Sequence, residues 1–231
     1  MANLQEDLSR IGKQLMFSEP FYGIFMSTLN KVVRKDLPTA GVSKNNINYQ
    51  LAINEEFWNS LDNDKKKIGL LKHELLHICF NHLEDREWFP NHELHNIAAD
   101  LEINQYLTPE YYPMDGIILL SSFPELNLPE KAGTKVYYGL LQQALDKGTS
   151  PSLQALMDQL AGNEYGGLHP TWKEFDGMSE ADAKLAKAQI EHQIKGIINE
   201  HKNQSRGFIP AELQSWIDNM FEERAPAYDW K

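Results

Sequence analysis

The sequence predicts an α+β fold that is mainly helical, with one small β-sheet packed on a central buried helix. Apolar residues recur at three- and four-residue steps over much of the chain, beginning with Leu4, Leu8 and Ile11, and this is the period of an amphipathic helix. The short stretch 48–53 alternates instead, which predicts a strand. The segment 64–83 is apolar around most of its circumference, as expected for a helix that is buried on nearly all sides.

Further helices are predicted on both sides of this centre. Their expected ranges are 4–17, 21–33, 55–61, 91–106, 134–145, 153–160, 179–203 and 210–221. Four prolines interrupt the stretch 108–129, which we therefore expect to be irregular and to wrap over the core.

Composition excludes several classes of function. The formal net charge of −11 over 231 residues argues against a nucleic-acid-binding surface. The N-terminus is polar and acidic, and no apolar run approaches the length of a membrane span, so we expect neither a leader nor a membrane anchor. The single cysteine, Cys79, cannot form an internal disulfide. A cytoplasmic protein with no nucleic-acid or membrane partner is predicted.

The pattern His73-Glu74-Leu75-Leu76-His77 predicts a catalytic metal site on the buried helix. Residues four apart on a helix lie about 40° from each other, so His73 and His77 can bind one ion. Glu74 can then reach a water at the metal without being a ligand, which is the position of a general base. Zn²⁺ is the expected ion, although two histidines and a carboxylate also suit iron, manganese or cobalt.

The third ligand is expected on the next helix. Asp100 lies in a largely apolar stretch beside two alanines, where a carboxylate is costly unless it is paired or bound to a cation. His82 is closer in sequence, but on a straight helix it is half a turn out of phase with His73. We therefore prefer Asp100. The weaker candidates, for which a solvated helix face is the alternative, are His92, His95 and Glu102.

Two further features bear on catalysis. His169 follows a glycine-rich loop and precedes Pro170, where it could stabilise the oxyanion of a tetrahedral intermediate or serve only a structural role. The strand at 48–53 directly precedes the metal-binding helix. An exposed edge of this strand could hold an extended peptide by backbone hydrogen bonds, and an ordinary sheet strand is the alternative.

A series of short motifs occurs in a fixed order along the chain. They are NYQLAI at 48–53, EF at 56–57, HELLH at 73–77, NIAADLEIN at 96–104, GTKVYY at 133–138, HPTW at 169–172, GFIP at 207–210 and DW at 229–230. With this series the chain resembles the metallopeptidase domain that precedes a von Willebrand factor A-like domain in many bacterial and phage proteins. The resemblance covers most of the chain beyond residue 40.

The resemblance implies a zincin-like fold and peptide-bond hydrolysis of a peptide or protein substrate. It supports His73, His77 and Asp100 as zinc ligands, Glu74 as general base and His169 as a catalytic residue. It also implies one domain over 1–231, with N-terminal helices in 1–40, a catalytic core in 41–145 and a helical part in 146–231. The chain stops where a von Willebrand factor A-like domain would begin, which is consistent with a shortened, naturally solitary or incomplete form.

Two other functions fit the same residues. One is a non-catalytic interaction or assembly module that a metal stabilises, in which His82, His92 or His95 would close the site as a fourth protein ligand. The other is hydrolysis of a non-peptide amide, because the metal-binding pattern does not distinguish the two kinds of amide bond.

Overall fold

The computed structural model describes residues 3–162, 167–201 and 208–221. In these ranges the chain is mainly helical and contains a three-stranded sheet, so the predicted α+β class is confirmed. Among the described helices, none is both long and apolar enough to cross a bilayer. The elements are α1 (Leu4–Ser18), α2 (Pro20–Thr28), β1 (Asn30–Val33), β2 (Ala40–Asn45), β3 (Asn48–Ile53), α3 (Glu55–Ser60), α4 (Asp64–Cys79), α5 (His92–Ile103), α6 (Thr134–Lys147), α7 (Pro151–Ala161), α8 (Glu180–His201) and α9 (Gln214–Phe221).

Asparagine side chains fix where several helices begin. The side chain of Asn63 accepts a hydrogen bond from the backbone N–H of Lys66 at the start of α4, and Asn91 accepts one from Leu94 at the start of α5. Such a cap satisfies a backbone donor that the helix leaves free and contributes about 1 kcal/mol. The caps therefore set the first turns of the two helices that carry the predicted ligands.

The sheet has the strand order β1-β3-β2. β1 runs parallel to β3, and β2 runs antiparallel to it. Because β3 lies in the centre, both of its edges are already paired. The hypothesis that the strand at 48–53 offers an edge to a peptide is therefore wrong, and this stretch is an ordinary sheet strand.

The N-terminal part of the chain differs from the prediction. The helix predicted over 21–33 ends at Thr28, and β1 follows it as Asn30–Val33. β2 was not predicted at all. Both strands are short and are stabilised by pairing with β3, so their own residues carry a weak signal. The helix predicted over 64–83 begins at Asp64 as expected but ends at Cys79.

Two clusters of buried apolar side chains form the interior. The first contains residues of α1, α2, the sheet, α4 and α8, and the second contains residues of α5, α6 and α7. Helix α5 contributes to both: Ala99 and Ile103 belong to the first cluster, whereas Leu94 and Ile97 belong to the second. The boundary between the clusters therefore runs along α5, close to α4.

The stretch 108–129 is irregular and packs over the core, as predicted. Its only regular structure is a set of short 3₁₀ turns, of which Pro109–Tyr111 contacts α4. A Cβ atom on Gly69 would lie 1.7 Å from the carbonyl oxygen of Tyr111. Only glycine permits this close approach of the two backbones.

Candidate metal centre

Helix α4 presents His73 and His77 on one face, one turn apart. Their Nε2 atoms are 3.0 Å from each other. The Oδ1 atom of Asp100, on α5, lies 3.6 Å from Nε2 of His73 and 3.3 Å from Nε2 of His77. The structure thus brings together the three residues that the sequence suggested as ligands.

His169 joins these three residues. It precedes the 3₁₀ helix Pro170–Phe175, and its Nε2 atom is 3.0 Å from Oδ1 of Asp100. One donor atom from each of His73, His77, Asp100 and His169 lies within 4.8 Å of the other three, and all but the partly buried His73 are buried. This is a compact set of three imidazoles and one carboxylate.

The hydrogen bonds around His73 show that the set suits a cation. Nδ1 of His73 is 2.9 Å from Oδ1 of Asn104, and the amide group of Asn104 donates to the carbonyl oxygen of Ile118 at 2.9 Å. The amide orientation that this network assigns leaves an oxygen facing His73, so Nδ1 carries the hydrogen and Nε2 carries a lone pair. That lone pair points into a buried group that also contains a carboxylate. Imidazole nitrogen and carboxylate oxygen are ligands that Zn²⁺, iron, manganese and cobalt accept.

Charge within the cluster changes the pKa of two of its members. Burial alone would raise the pKa of Asp100, but the charge of His169 and the hydrogen bond from His169 outweigh it, so the pKa lies well below its usual range. Burial would lower the pKa of His169, but the Asp100 carboxylate outweighs this effect and raises it. Asp100 is therefore an anion, and His169 holds a proton on the nitrogen that faces it.

Glu74 lies beside this cluster and is held by the sheet. Its side chain is buried, and its Oε2 atom accepts a hydrogen bond of 3.0 Å from the backbone N–H of Val42 in β2. Burial is the largest effect on its pKa, which is raised, although the neighbouring histidines His73 and His169 oppose the shift. A raised carboxyl pKa suits a group that must take up and release a proton near neutral pH.

A family model described as "Putative metallopeptidase domain" matches residues 5–231. The chain belongs to this family. A family of metallopeptidase domains implies a bound metal, and the four-residue cluster is where the described part of the chain could hold one. Among curated proteins and among solved structures, none matches the chain. The motif residues Gly207, Asp229 and Trp230 lie outside the described residues.

The free edge of β2 is covered rather than open. The backbone N–H of Val42 donates to Glu74, and that of Lys44 donates to Glu174 at 3.4 Å. A Cβ atom on Gly41 would lie 2.6 Å from Oγ1 of Thr171, so the 3₁₀ helix Pro170–Phe175 packs directly on the strand. The same segment follows His169. Packing on β2 therefore fixes the position of that histidine.

Four residues considered as alternative ligands lie outside the cluster of His73, His77, Asp100 and His169. His82 misses it because α4 ends at Cys79, and the left-handed backbone of Asn81, with φ of 57°, turns the chain back. The Nδ1 atom of His82 consequently contacts Nδ1 of His77 at 2.9 Å. The others are partly exposed His92, buried His95, and Glu102, which hydrogen-bonds to His82.

Sequence reasoning missed two residues that shape the site. Asn104 orients His73, and Trp172 stacks on His169 with ring centroids 4.3 Å apart and an interplanar angle of 12°. Trp172 is fully buried and also meets the edge of His77. Both residues fall within the motifs of the resemblance, but only the folded chain shows which side chain each one contacts.

Proposed function

We propose that this protein is a zinc-dependent endopeptidase in which His73, His77 and Asp100 hold the ion. The observation that carries the proposal is that the ligand atoms of these three residues lie close together in the interior, next to Glu74. The chain also belongs to a family of metallopeptidase domains. Zincin-like architecture around the helix α4 is part of the same proposal. A closed structural site needs no buried carboxylate held beside its ligands.

Zinc at this position would polarise the scissile carbonyl and make water more acidic. Glu74, oriented by the N–H of Val42, takes the proton of the attacking water and returns it to the leaving amine. The same carboxylate can serve both steps because its pKa is raised towards the working range. Peptides or proteins are the proposed substrates.

His169 is assigned as a hydrogen-bond donor rather than a ligand. Asp100 is ionised and can only accept, so the contact of 3.0 Å places a hydrogen on Nε2 of His169. His169 lies at the edge of the metal cluster, where this N–H can be shared between Asp100 and the oxyanion that forms when water adds to the carbonyl. Its stacking on Trp172 holds the ring in place.

The Glu74→Gln variant tests this function. We expect hydrolysis of casein or of a random peptide mixture to fall by about 10²- to 10⁴-fold, because the base is lost, while metal analysis still finds about one zinc per chain. Glu84→Gln is a matched control, since it makes the same substitution at another carboxyl group with a buried oxygen. Turnover retained in Glu74→Gln would contradict the mechanism.

One observation favours a second function, a metal-stabilised module that does not cleave peptides. His169 supplies a fourth possible metal-ligating atom close to those of His73, His77 and Asp100, and four protein ligands are typical of closed structural sites. Chelation distinguishes the two functions. Loss of the whole fold when the metal is removed would favour the module, whereas a shift of a few degrees in melting temperature would favour the peptidase.

Three broader proposals accompany the peptidase. A cytoplasmic location is consistent with Cys79 being a buried free thiol. One domain over 1–231 is consistent with a family match that extends over nearly the whole chain. A von Willebrand factor A-like domain as a partner in the same polypeptide rests on the resemblance alone.

A further inference from the structure

We propose that His82 and Glu102 are positioning residues that hold His77 in the tautomer and orientation needed to bind the metal. The three side chains form a chain: Nδ1 of His77 lies 2.9 Å from Nδ1 of His82, and Nε2 of His82 lies 3.3 Å from Oε2 of Glu102. The inference rests on the proposed metal site. It adds two residues, neither of which is a member of the metal cluster.

The direction of these hydrogen bonds follows from the contacts of Glu102 and Thr134, at the end farthest from the metal cluster. Oε2 of Glu102 accepts the backbone N–H of Thr134 at 2.6 Å and also the Thr134 hydroxyl hydrogen. The hydroxyl oxygen in turn lies 3.0 Å from Nε2 of His82, which therefore faces two oxygens that can accept a hydrogen. Nε2 of His82 thus carries the hydrogen, and in the neutral ring its Nδ1 is a lone pair.

The tautomer of His82 determines that of His77. Because Nδ1 of His82 accepts, Nδ1 of His77 must donate, and the lone pair of His77 is left on Nε2. Nε2 is the atom that faces His73 and Asp100. Without His82, nothing in this arrangement would favour the tautomer that can bind a metal through Nε2.

The hydrogen-bonded series from His77 through His82 to Glu102 is largely buried and held in place. His82 is 2% exposed, and its backbone N–H donates to the carbonyl oxygen of His77 in the turn that ends α4. Thr134 is the first residue of α6 and is also buried. The partners of His82 are therefore held by three different parts of the fold, α4, α5 and α6. Outer partners of this kind commonly change metal affinity by 10- to 100-fold.

His95 offers a matched control. Its ring is fully buried, its centroid is 6.4 Å from that of His82, and it stacks on Phe89. Neither ring nitrogen of His95 has a hydrogen-bond partner within the described part of the chain. His95→Phe thus removes a neighbouring buried imidazole and leaves the chain from His77 to Glu102 intact.

The experiment measures the zinc affinity of the full chain by competition with a chromophoric chelator. We expect zinc to bind about 10- to 100-fold more weakly in His82→Phe, with a smaller loss in Glu102→Gln, and to bind within about threefold of wild type in His95→Phe. Cobalt-loaded His82→Phe should also show a shifted visible spectrum, because the orientation of His77 changes. Melting temperatures of the metal-free proteins check that each variant folds.

Two results would overturn the proposal. One is zinc affinity near that of wild type in both His82→Phe and Glu102→Gln, and the other is an equal loss in His95→Phe, which would indicate a general effect of changing this part of the interior. A wild-type protein that binds no zinc would instead overturn the metal site itself. Affinity is measured without any substrate, so a failure to hydrolyse peptides leaves the positioning role standing.

Discussion

Asp100 and His169 are 69 positions apart in the chain, and Oδ1 of the first lies 3.0 Å from Nε2 of the second. The contact joins α5 to the segment that packs on β2. Because both groups are buried and of opposite charge, each stabilises the ionised form of the other. Their separate removal should have different consequences.

Asp100→Ala should abolish metal binding. The substitution removes a proposed ligand, so we expect at least a 100-fold loss of zinc affinity, measured as metal content after dialysis. His92→Ala is the control, because His92 lies on the same helix but outside the cluster and is partly exposed. Zinc retained in the Asp100 variant and lost in the His92 variant would show that the third ligand is wrongly assigned.

His169→Gln should keep the metal and lose activity. If His169 donates a hydrogen bond to the oxyanion, kcat should fall by about 10²- to 10³-fold, with little change in KM and about one zinc per chain. Steady-state kinetics and metal analysis of the same preparation measure both effects. A variant that no longer holds zinc would mean that His169 is a ligand and that the site is closed.

Glu84 should make stability depend on pH. Burial raises the pKa of its carboxyl from 4.5 to about 7, although a hydrogen bond from Tyr49 opposes the shift. The folded protein thus keeps a proton that the unfolded chain has released. The stabilising contribution is complete below about pH 4.5 and is lost as the pH rises through 7, a loss of up to about 3 kcal/mol.

The Glu84→Gln variant tests this dependence. Its free energy of unfolding, measured by urea titration, should match that of wild type near pH 4.5 and exceed it at pH 8. The difference between the two proteins is the quantity to follow, since other titrating groups are common to both. A constant difference from pH 4.5 to 8 would contradict the raised pKa.

Two glycine substitutions should have opposite effects on stability. Gly69→Ala places a Cβ atom against the Tyr111 carbonyl, so we expect it to destabilise the fold by about 1 to 3 kcal/mol. Gly139 lies inside α6, and a Cβ there meets nothing within 4 Å. Gly139→Ala should therefore stabilise by about 0.5 to 1 kcal/mol. Thermal melts would show the contrast, and a stabilising Gly69→Ala would contradict the close approach of the two backbones.

Local signals in the sequence were sufficient for much of the fold. The predicted start of α4 and both ends of β3 agree with the structure, because a capping side chain and alternating side chains are encoded by neighbouring residues. The predicted start of α6 agrees as well, although no side chain caps it. The spacing of His73 and His77 likewise required only the geometry of one helix. Asp100 was found because an isolated carboxylate among apolar residues is costly.

Contacts between distant segments account for what was missed. β1 forms by pairing with β3, so Val32 and Val33 were read as the end of a helix. His82 would be half a turn out of phase with His73 only on a helix that continues beyond Cys79, whereas the turn at Asn81 brings its ring against His77. The approach of His169 to Asp100 depends on packing across the molecule. No spacing within either segment indicates it.

The two apolar clusters that meet along α5 give the metal centre a second consequence. His73 and His77 lie on α4, which packs in the first cluster, while Asp100 lies on α5, which contributes to both clusters. An ion bound by these residues would couple the unfolding of the first cluster to the unfolding of the second. We expect calorimetry to record one sharp transition with zinc and a broader one, or two, without it. Occupancy of a single site would then determine whether the chain unfolds as one cooperative unit.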